Sequence, residues 1–242
     1  MRALTANDAI GIWEKGQRLR PAERSVAVLS AAYPESSGID LSRLTVGQCN
    51  ARLWKVRNRI FGAAVNAFSE CPNCGERLEF SFDAAGLEAA KAAEAEYELE
   101  CDDYTVRFRL LSLDDLNAAA SRADLETVRT GLLERCVLEA NYRGEPVAVR
   151  DLPATFIEKL GMQLAEFDSG SDLLINLACP VCESGYQLPF DIGAFFYTEI
   201  SAQAQRLLRE VHMLAHAYSW HERDILGMSA RRRHFYLQML ER

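Results

Sequence analysis

The chain has 242 residues, of which 49% are hydrophobic and 26% charged, the balance of a soluble globular protein with length for one large domain or two small ones. No apolar stretch approaches the roughly 20 residues that span a bilayer, and Met1-Arg2-Ala3-Leu4-Thr5 leads into no signal-peptide core, so no membrane role is expected. The net charge of −8 is uneven: residues 1–70 hold ten Lys/Arg against six Asp/Glu, 71–199 hold ten against twenty-five, and 200–242 hold seven against four. An acidic centre between mildly basic ends argues against a nucleic-acid binder and suits docking between complementary protein surfaces.

Thr5 with Asp8 forms a capping-box pattern, and the helix it opens, through Ile10, Ile12 and Trp13, should fade at Gly16. Pro21 suits the first turn of a second helix bearing Val26, Val28 and Leu29, and residues 33–38 read as a loop. Thr45 with Gln48 is another capping box. Behind it Cys49, Leu53, Val56, Ile60, Ala63 and Ala67 recur at three- and four-residue steps as one apolar stripe. Arg52, Lys55, Arg57 and Arg59 lie mostly off that stripe. They read as a solvated face, or else as a docking face for an acidic partner or for this chain's own acidic middle.

Residues 78–82 alternate as a strand, and the alanine-rich acidic stretch 84–96 reads as helical or mobile. Residues 97–101 and 104–110 read as two strands joined at Asp102-Asp103. Ser112 caps a helix to about Ser121, and Asp124 starts another carrying Leu125, Val128, Leu132, Leu133 and Cys136. A turn at 141–145 precedes a helix opened by Pro153, with Phe156, Ile157, Leu160, Leu164 and Phe167 on one face and Ser169-Gly170-Ser171 at its end. Residues 173–177 and 187–190 read as strands, and 194–217 as one long helix. Ser219 and Glu222 suggest a capping box for the next helix, with Ile225 and Leu226. Ser229 caps a last one with Phe235, Tyr236, Leu237 and Leu240.

Two segments of the chain resemble each other. Cys71-Pro72-Asn73-Cys74-Gly75 and Cys179-Pro180-Val181-Cys182, with Gly185 nearby, each run into a strand ending Phe-Asp, at Phe82-Asp83 and Phe190-Asp191. Two residues between cysteines let both sulfurs reach one metal, and two such turns supply four thiolates in the closed tetrahedron of structural zinc. The nearby glycines should let the backbone wrap the ion. The pairs are much farther apart than the roughly 15–20 residues of a compact ribbon, so the segment between them is an insertion between two knuckles. An iron–sulfur cluster is the alternative metal centre. A redox CxxC, which needs a strand before and a helix after it, fits less well, as do disulfides in a chain without an export signal. Four cysteines leave no open position for a catalytic water.

Cys49, Cys101 and Cys136 sit within apolar patterns and read as buried small hydrophobes. His212 and His216 share a helix face, but position 213 is Met, no third ligand is near, and a packing or contact role is expected; His221 should be exposed. Arg231-Arg232-Arg233 sits at a helix start, against the macrodipole, which suits either a solvated turn or an acidic partner. No phosphate loop, nucleophile elbow or paired catalytic carboxylates are present, so neither an enzyme nor a small-molecule substrate is expected.

Several stretches together carry a family likeness: Leu44-Thr45-Val46-Gly47, Leu53-Trp54-Lys55-Val56-Arg57, Ile60-Phe61-Gly62, both C-P-x-C turns, Leu132-Leu133-Glu134-Arg135-Cys136, and the end of the chain from Leu208 through Tyr218-Ser219-Trp220, Ile225-Leu226-Gly227-Met228 and Arg232-Arg233 to Tyr236-Leu237. With these the chain resembles baseplate proteins and baseplate-hub assembly chaperones of contractile-tailed phages and extracellular contractile injection systems. The resemblance implies protein–protein work with hub, spike or wedge components, cytoplasmic assembly, and retention in the tail or injection particle.

The expectation is therefore a predominantly helical α+β protein with a split zinc ribbon. A helical region at 1–70 is followed by the ribbon at 71–193, with an α+β insertion at about 84–172, and a helical region at 194–242. Zn²⁺ should sit on Cys71, Cys74, Cys179 and Cys182, and a partner on Trp220, Arg231, Arg232, Arg233 and Tyr236. The competing reading is a zinc-ribbon nucleic-acid-binding module.

Overall fold

The computed structural model describes residues 1–36, 38–89, 94–120 and 124–240. Helix α1 (Ala6–Gly16) starts where expected: the Asp8 N–H donates to Thr5 Oγ1 and the Thr5 N–H to the Asp8 carboxylate. Helix α2 (Pro21–Ala32) follows, and then a short α3 (Gly38–Ser42) whose start falls at the end of the segment read as loop. Helix α4 (Val46–Phe61) carries the second capping box, with the Gln48 N–H donating to Thr45 Oγ1.

The apolar stripe of α4 stops short of its expected end. Gly62 ends the helix at φ 83° and ψ 173°, a backbone conformation open to glycine because it has no Cβ. Beyond it the period changes from helical to alternating, with Val65, Ala67 and Ser69 buried, so Ala67 belongs to strand β1 (Ala64–Glu70). Its antiparallel partner is β2 (Arg77–Asp83), with Val65 opposite Phe82 and Glu70 opposite Arg77. The described part of the 84–96 stretch forms turns; residues 90–93 lie outside the described residues.

Strands β3 (Tyr97–Cys101) and β4 (Tyr104–Phe108) form the expected hairpin, with Asp102 and Asp103 both at positive φ in the manner of a type I′ turn. Helices α5 (Leu113–Ala119) and α6 (Leu125–Cys136) come next, and the expected end of α5 at Ser121 lies outside the described residues. Strands β5 (Val137–Tyr142) and β6 (Glu145–Pro146) complete a four-stranded antiparallel sheet in the order β3-β4-β5-β6. Helix α7 (Ala154–Phe167) covers it. Val106, Phe108, Cys136, Phe156 and Leu160 form a core between the two.

Strands β7 (Leu174–Ala178) and β8 (Gly185–Pro189) make a last hairpin ahead of α8 (Ile192–Tyr218), α9 (Glu222–Leu226) and α10 (Ala230–Leu240). Helix α8 runs through the larger core, where Phe196, Ile200, Leu207 and Leu214 pack with Leu29, Leu53 and Ile225. Side chains of this size each stabilise the fold by roughly 1.5–3 kcal/mol when fully buried. Helices and small antiparallel sheets in this arrangement make the fold α+β.

One local expectation fails here. Ser219 does not cap α9: it lies at φ 54° as the left-handed end of α8, its N–H bonded to the Ala215 carbonyl, and His221 precedes α9 without a side-chain cap. Ser229 does cap α10, accepting from the Arg232 N–H. Of the two readings of the basic residues on α4, Arg57 leaves the solvated face and takes the other, meeting a carboxylate of the acidic 71–199 stretch. It is 2% exposed and paired with Glu199 of α8, because the N-terminal helices pack against α8 and bring a carboxylate onto its side of α4.

Candidate metal centre

The two hairpins are built alike. In the first, residues 71–76 link β1 to β2. In the second, residues 179–184 link β7 to β8. In each, the first cysteine's N–H bonds to a carbonyl five residues on, Cys71 to Glu76 and Cys179 to Ser184. Its own carbonyl accepts from the residue four on, Gly75 or Glu183. That fourth residue takes positive φ in both turns, 75° at Gly75 and 58° at Glu183. The glycine expected to shape the second turn, Gly185, is instead the first residue of β8, and Glu183 holds the left-handed position.

The ends of the hairpins meet as well. Phe82 and Phe190 lie edge to face at 5.3 Å, and both pack on Trp54 of α4, at 6.0 and 5.8 Å. The repeated Phe-Asp is thereby explained. The aromatic rings clamp the bases together, while Asp83 accepts from the Ala85 N–H and Asp191 caps α8 through the Ala194 N–H. Higher up, Tyr186 donates its hydroxyl hydrogen to Ser69 Oγ across the gap.

At the tips the four thiols converge. Cys71 Sγ lies 3.6 Å from Cys182 Sγ, and Cys74 Sγ lies 3.6 Å from Cys179 Sγ. All four sulfurs fall within 4.8 Å of one another, the group among the described residues that could hold a metal ion. A tetrahedral ion with sulfur bonds of about 2.3 Å sets its sulfurs about 3.8 Å apart, so the donor set and its spacing fit Zn²⁺. Cys71 and Cys179 are buried against Leu78, and Cys74 is exposed, so one side of the centre faces solvent. Without an ion the thiols differ in acidity. Asn73 and the Ser184 N–H pull Cys182 down to about 6. The Glu76 N–H favours the Cys74 thiolate, but partial desolvation at the cluster and the three neighbouring sulfurs outweigh it and push Cys74 up to about 12. A metal must displace these protons, so its affinity falls as pH falls.

Of the other cysteines, Cys49 and Cys136 are buried as expected, and burial pushes their thiols up to about 12 and about 11. Cys101 is not. It is half-buried at the end of β3, where the Lys159 ammonium donates to its sulfur at 2.6 Å, because an edge strand has no neighbour to cover it. His212 and His216 are exposed on one face of α8, rings stacked at 6.3 Å, and His221 is exposed.

The candidate partner residues lie together at the end of the chain. Trp220 and Tyr236 pack edge to face at 4.9 Å, with Tyr218 stacked on Trp220 at 4.6 Å. Arg233 is 5% exposed, donating from Nε to Glu210 at 2.9 Å and from Nη1 to the Met228 carbonyl at 2.6 Å. Arg231 and Arg232 are exposed, beside Phe235 and Met239. Phe235, expected among the apolar residues of this helix, is exposed with Met239 one turn on, and sequence reasoning did not place this pair among the partner residues.

Fold and site together define an α+β scaffold in which two matched hairpins are clamped by aromatic rings at one end and by a closed four-thiol, metal-competent centre at the other. The chain belongs to the family of T4 bacteriophage base plate proteins, whose family model matches residues 28–196. The matched span contains all four clustered cysteines and Trp54 but ends before α9 and α10. No curated protein and no solved structure matches the chain. Among the described residues no helix is long and apolar enough to cross a membrane.

Proposed function

We propose that this chain is a non-enzymatic structural or assembly protein of a contractile-tail or contractile-injection baseplate, stabilised by Zn²⁺ on Cys71, Cys74, Cys179 and Cys182. The family match over residues 28–196 carries this reading, and the 3.6 Å sulfur spacing supports the choice of ion. The proposed organisation is a region at 1–70, helical as far as Phe61 and ending in β1 of the first hairpin, a ribbon at 71–193 with an insertion at about 84–172, and a helical region at 194–242. It is supported by the second core, whose residues all fall within the insertion.

The partner is a hub, spike or wedge component, engaged through the C-terminal helices. Trp220, Tyr236 and the Arg233–Glu210 pair hold α10 against α8, and Arg231 and Arg232 offer two exposed cations to an acidic surface. Assembly takes place in the cytoplasm, and the protein stays in the particle. The test is co-purification of the full chain with the other baseplate proteins of its system, against a variant carrying Arg231→Glu and Arg232→Glu. Unchanged capture by the variant would sink the C-terminal docking site. Metal analysis of the purified chain should give one zinc per chain, and iron in its place would overturn the choice of ion. Mass spectrometry of finished particles tests retention.

A further inference from the structure

Strand β3 ends its sheet, and among the described residues no strand lies on its outer side. The two-residue turn at Asp102-Asp103 sets which of its backbone groups are free. Residues flanking such a turn exchange both hydrogen bonds, and pairing then alternates along the strands. Cys101, Leu99 and Tyr97 therefore bond to Tyr104, Val106 and Phe108, while the N–H and C=O groups of Glu98 and Glu100 point away from β4.

The side chains alternate just as regularly. Tyr97, Leu99 and Cys101 face the second core but are only half-buried, and among the described residues no strand covers their open side. The other face of β3 carries two exposed acids, Glu98 and Glu100, with Glu96 reaching Arg107 opposite Glu98 just before the strand. The nearby cations are engaged elsewhere: Arg107, opposite Glu98, lies 3.7 Å from Glu96 and 3.2 Å from Glu139, and Lys159 lies 3.8 Å from Asp102. Among the described residues none forms an ion pair with Glu98 or Glu100.

We infer that this open edge of β3 docks an extended basic segment of another polypeptide, which adds as a further strand. Its backbone completes the ladder at Glu98 and Glu100, Lys or Arg at alternate positions meets the carboxylates, and the apolar residues between them cover Tyr97 and Leu99. A second copy of the same strand is disfavoured, because it would set carboxylate against carboxylate. The surface lies within residues 28–196 and does not depend on the C-terminal helices.

The test uses the full chain and a fluorescein-labelled heptapeptide alternating Lys with Thr and Val. The peptide should bind, protect the Glu98 and Glu100 amides from hydrogen exchange, and lose affinity as salt rises. Glu98→Lys with Glu100→Lys should weaken it roughly tenfold or more. Because both side chains are exposed, that variant should keep its melting temperature; if it does not, Glu98→Gln with Glu100→Gln replaces it and should weaken binding in the same direction. A peptide N-methylated along one edge should not bind. Equal binding of the methylated peptide, unprotected amides at 98 and 100, or no binding at millimolar peptide each overturns the inference. The variant with Arg231→Glu and Arg232→Glu should bind the peptide normally, which separates this surface from the C-terminal site.

Discussion

Arg57 of α4 donates from Nε and Nη2 to the two carboxylate oxygens of Glu199 on α8, at 3.0 and 2.8 Å, across 142 residues of chain. Its remaining nitrogen, Nη1, donates to the Gly62 and Ala64 carbonyls, just where α4 gives way to β1. One buried guanidinium thus ties the first cysteine-bearing hairpin to the central helix. Glu199→Ala would leave that charge unpaired and should lower stability by about 2–3 kcal/mol, below the full cost of breaking a buried pair because Glu199 is partly exposed. Arg57→Ala also strips two carbonyls and should cost more, about 3–5 kcal/mol. Urea denaturation of the two variants should give that order.

If the four thiols hold the proposed ion, Cys179→Ser should abolish stoichiometric metal binding and lower stability by several kcal/mol, since that ion would close a loop in which Cys74 and Cys179 stand 105 residues apart. The loss should concentrate in the hairpin tips. The same long loop is also closed where Asp168 accepts from Thr45 Oγ1 and the Gly47 N–H, and where Phe190 packs on Trp54. Hydrogen exchange should therefore rise in β1, β2, β7 and β8 and stay low in α8. An unchanged melting temperature would mean that the ion has no structural role.

The two left-handed positions in the knuckles should respond with opposite signs. Gly75→Ala puts a Cβ where φ is 75° and should cost about 1–2 kcal/mol. Glu183→Gly relieves the same conformation in the second turn and should stabilise by about 0.5–1 kcal/mol. Thermal melts of the two metal-loaded variants, run side by side, check this; a destabilised Glu183→Gly would show that the side chain itself matters.

Asp8 gives a pH-dependent prediction. Its carboxylate accepts from Arg2 at 2.8 Å and from the Thr5 N–H, and despite partial burial the Arg2 bond leads in holding it at about 2 in place of the usual 3.8. A depressed folded value contributes stability above the unfolded value and loses it as pH falls through the folded one. At pH 7, Asp8→Asn should therefore cost about 1 kcal/mol, discounted for partial exposure. The gap between wild type and variant should shrink below pH 4 and vanish only below pH 2. Measuring the difference between the two proteins removes the common effect of metal loss in acid.

Local chemistry made much of this protein legible. The boxes at Thr5, Thr45 and Ser112 each bond as their spacing requires, because a cap is settled within one turn of chain. The Asp102-Asp103 hairpin and the apolar faces of α2 and α7 are equally visible, whereas Leu125, read with the apolar residues of α6, is 85% exposed in its first turn. Reading failed where two signals overlapped. Ser219 looked like a cap for the helix after it but served as the end of the helix before it. Ala63 and Ala67 kept the period of α4 after Gly62 had already turned the chain into a strand. Gly185 lay near the second turn, yet Glu183 took the strained position.

The residues of the four-thiol cluster could be read from the sequence alone, since a C-P-x-C turn orients two sulfurs by itself and its repetition implies a second pair. Only the tertiary structure decided what surrounds that cluster. Trp54 collects Phe82 and Phe190 at the bases of both hairpins, Glu199 meets Arg57, Glu210 takes Arg233, and β3 is left at an open edge. Each of these depends on how elements far apart in sequence pack together, and the periodicity within an element carries a face but not the identity of what will lie against it.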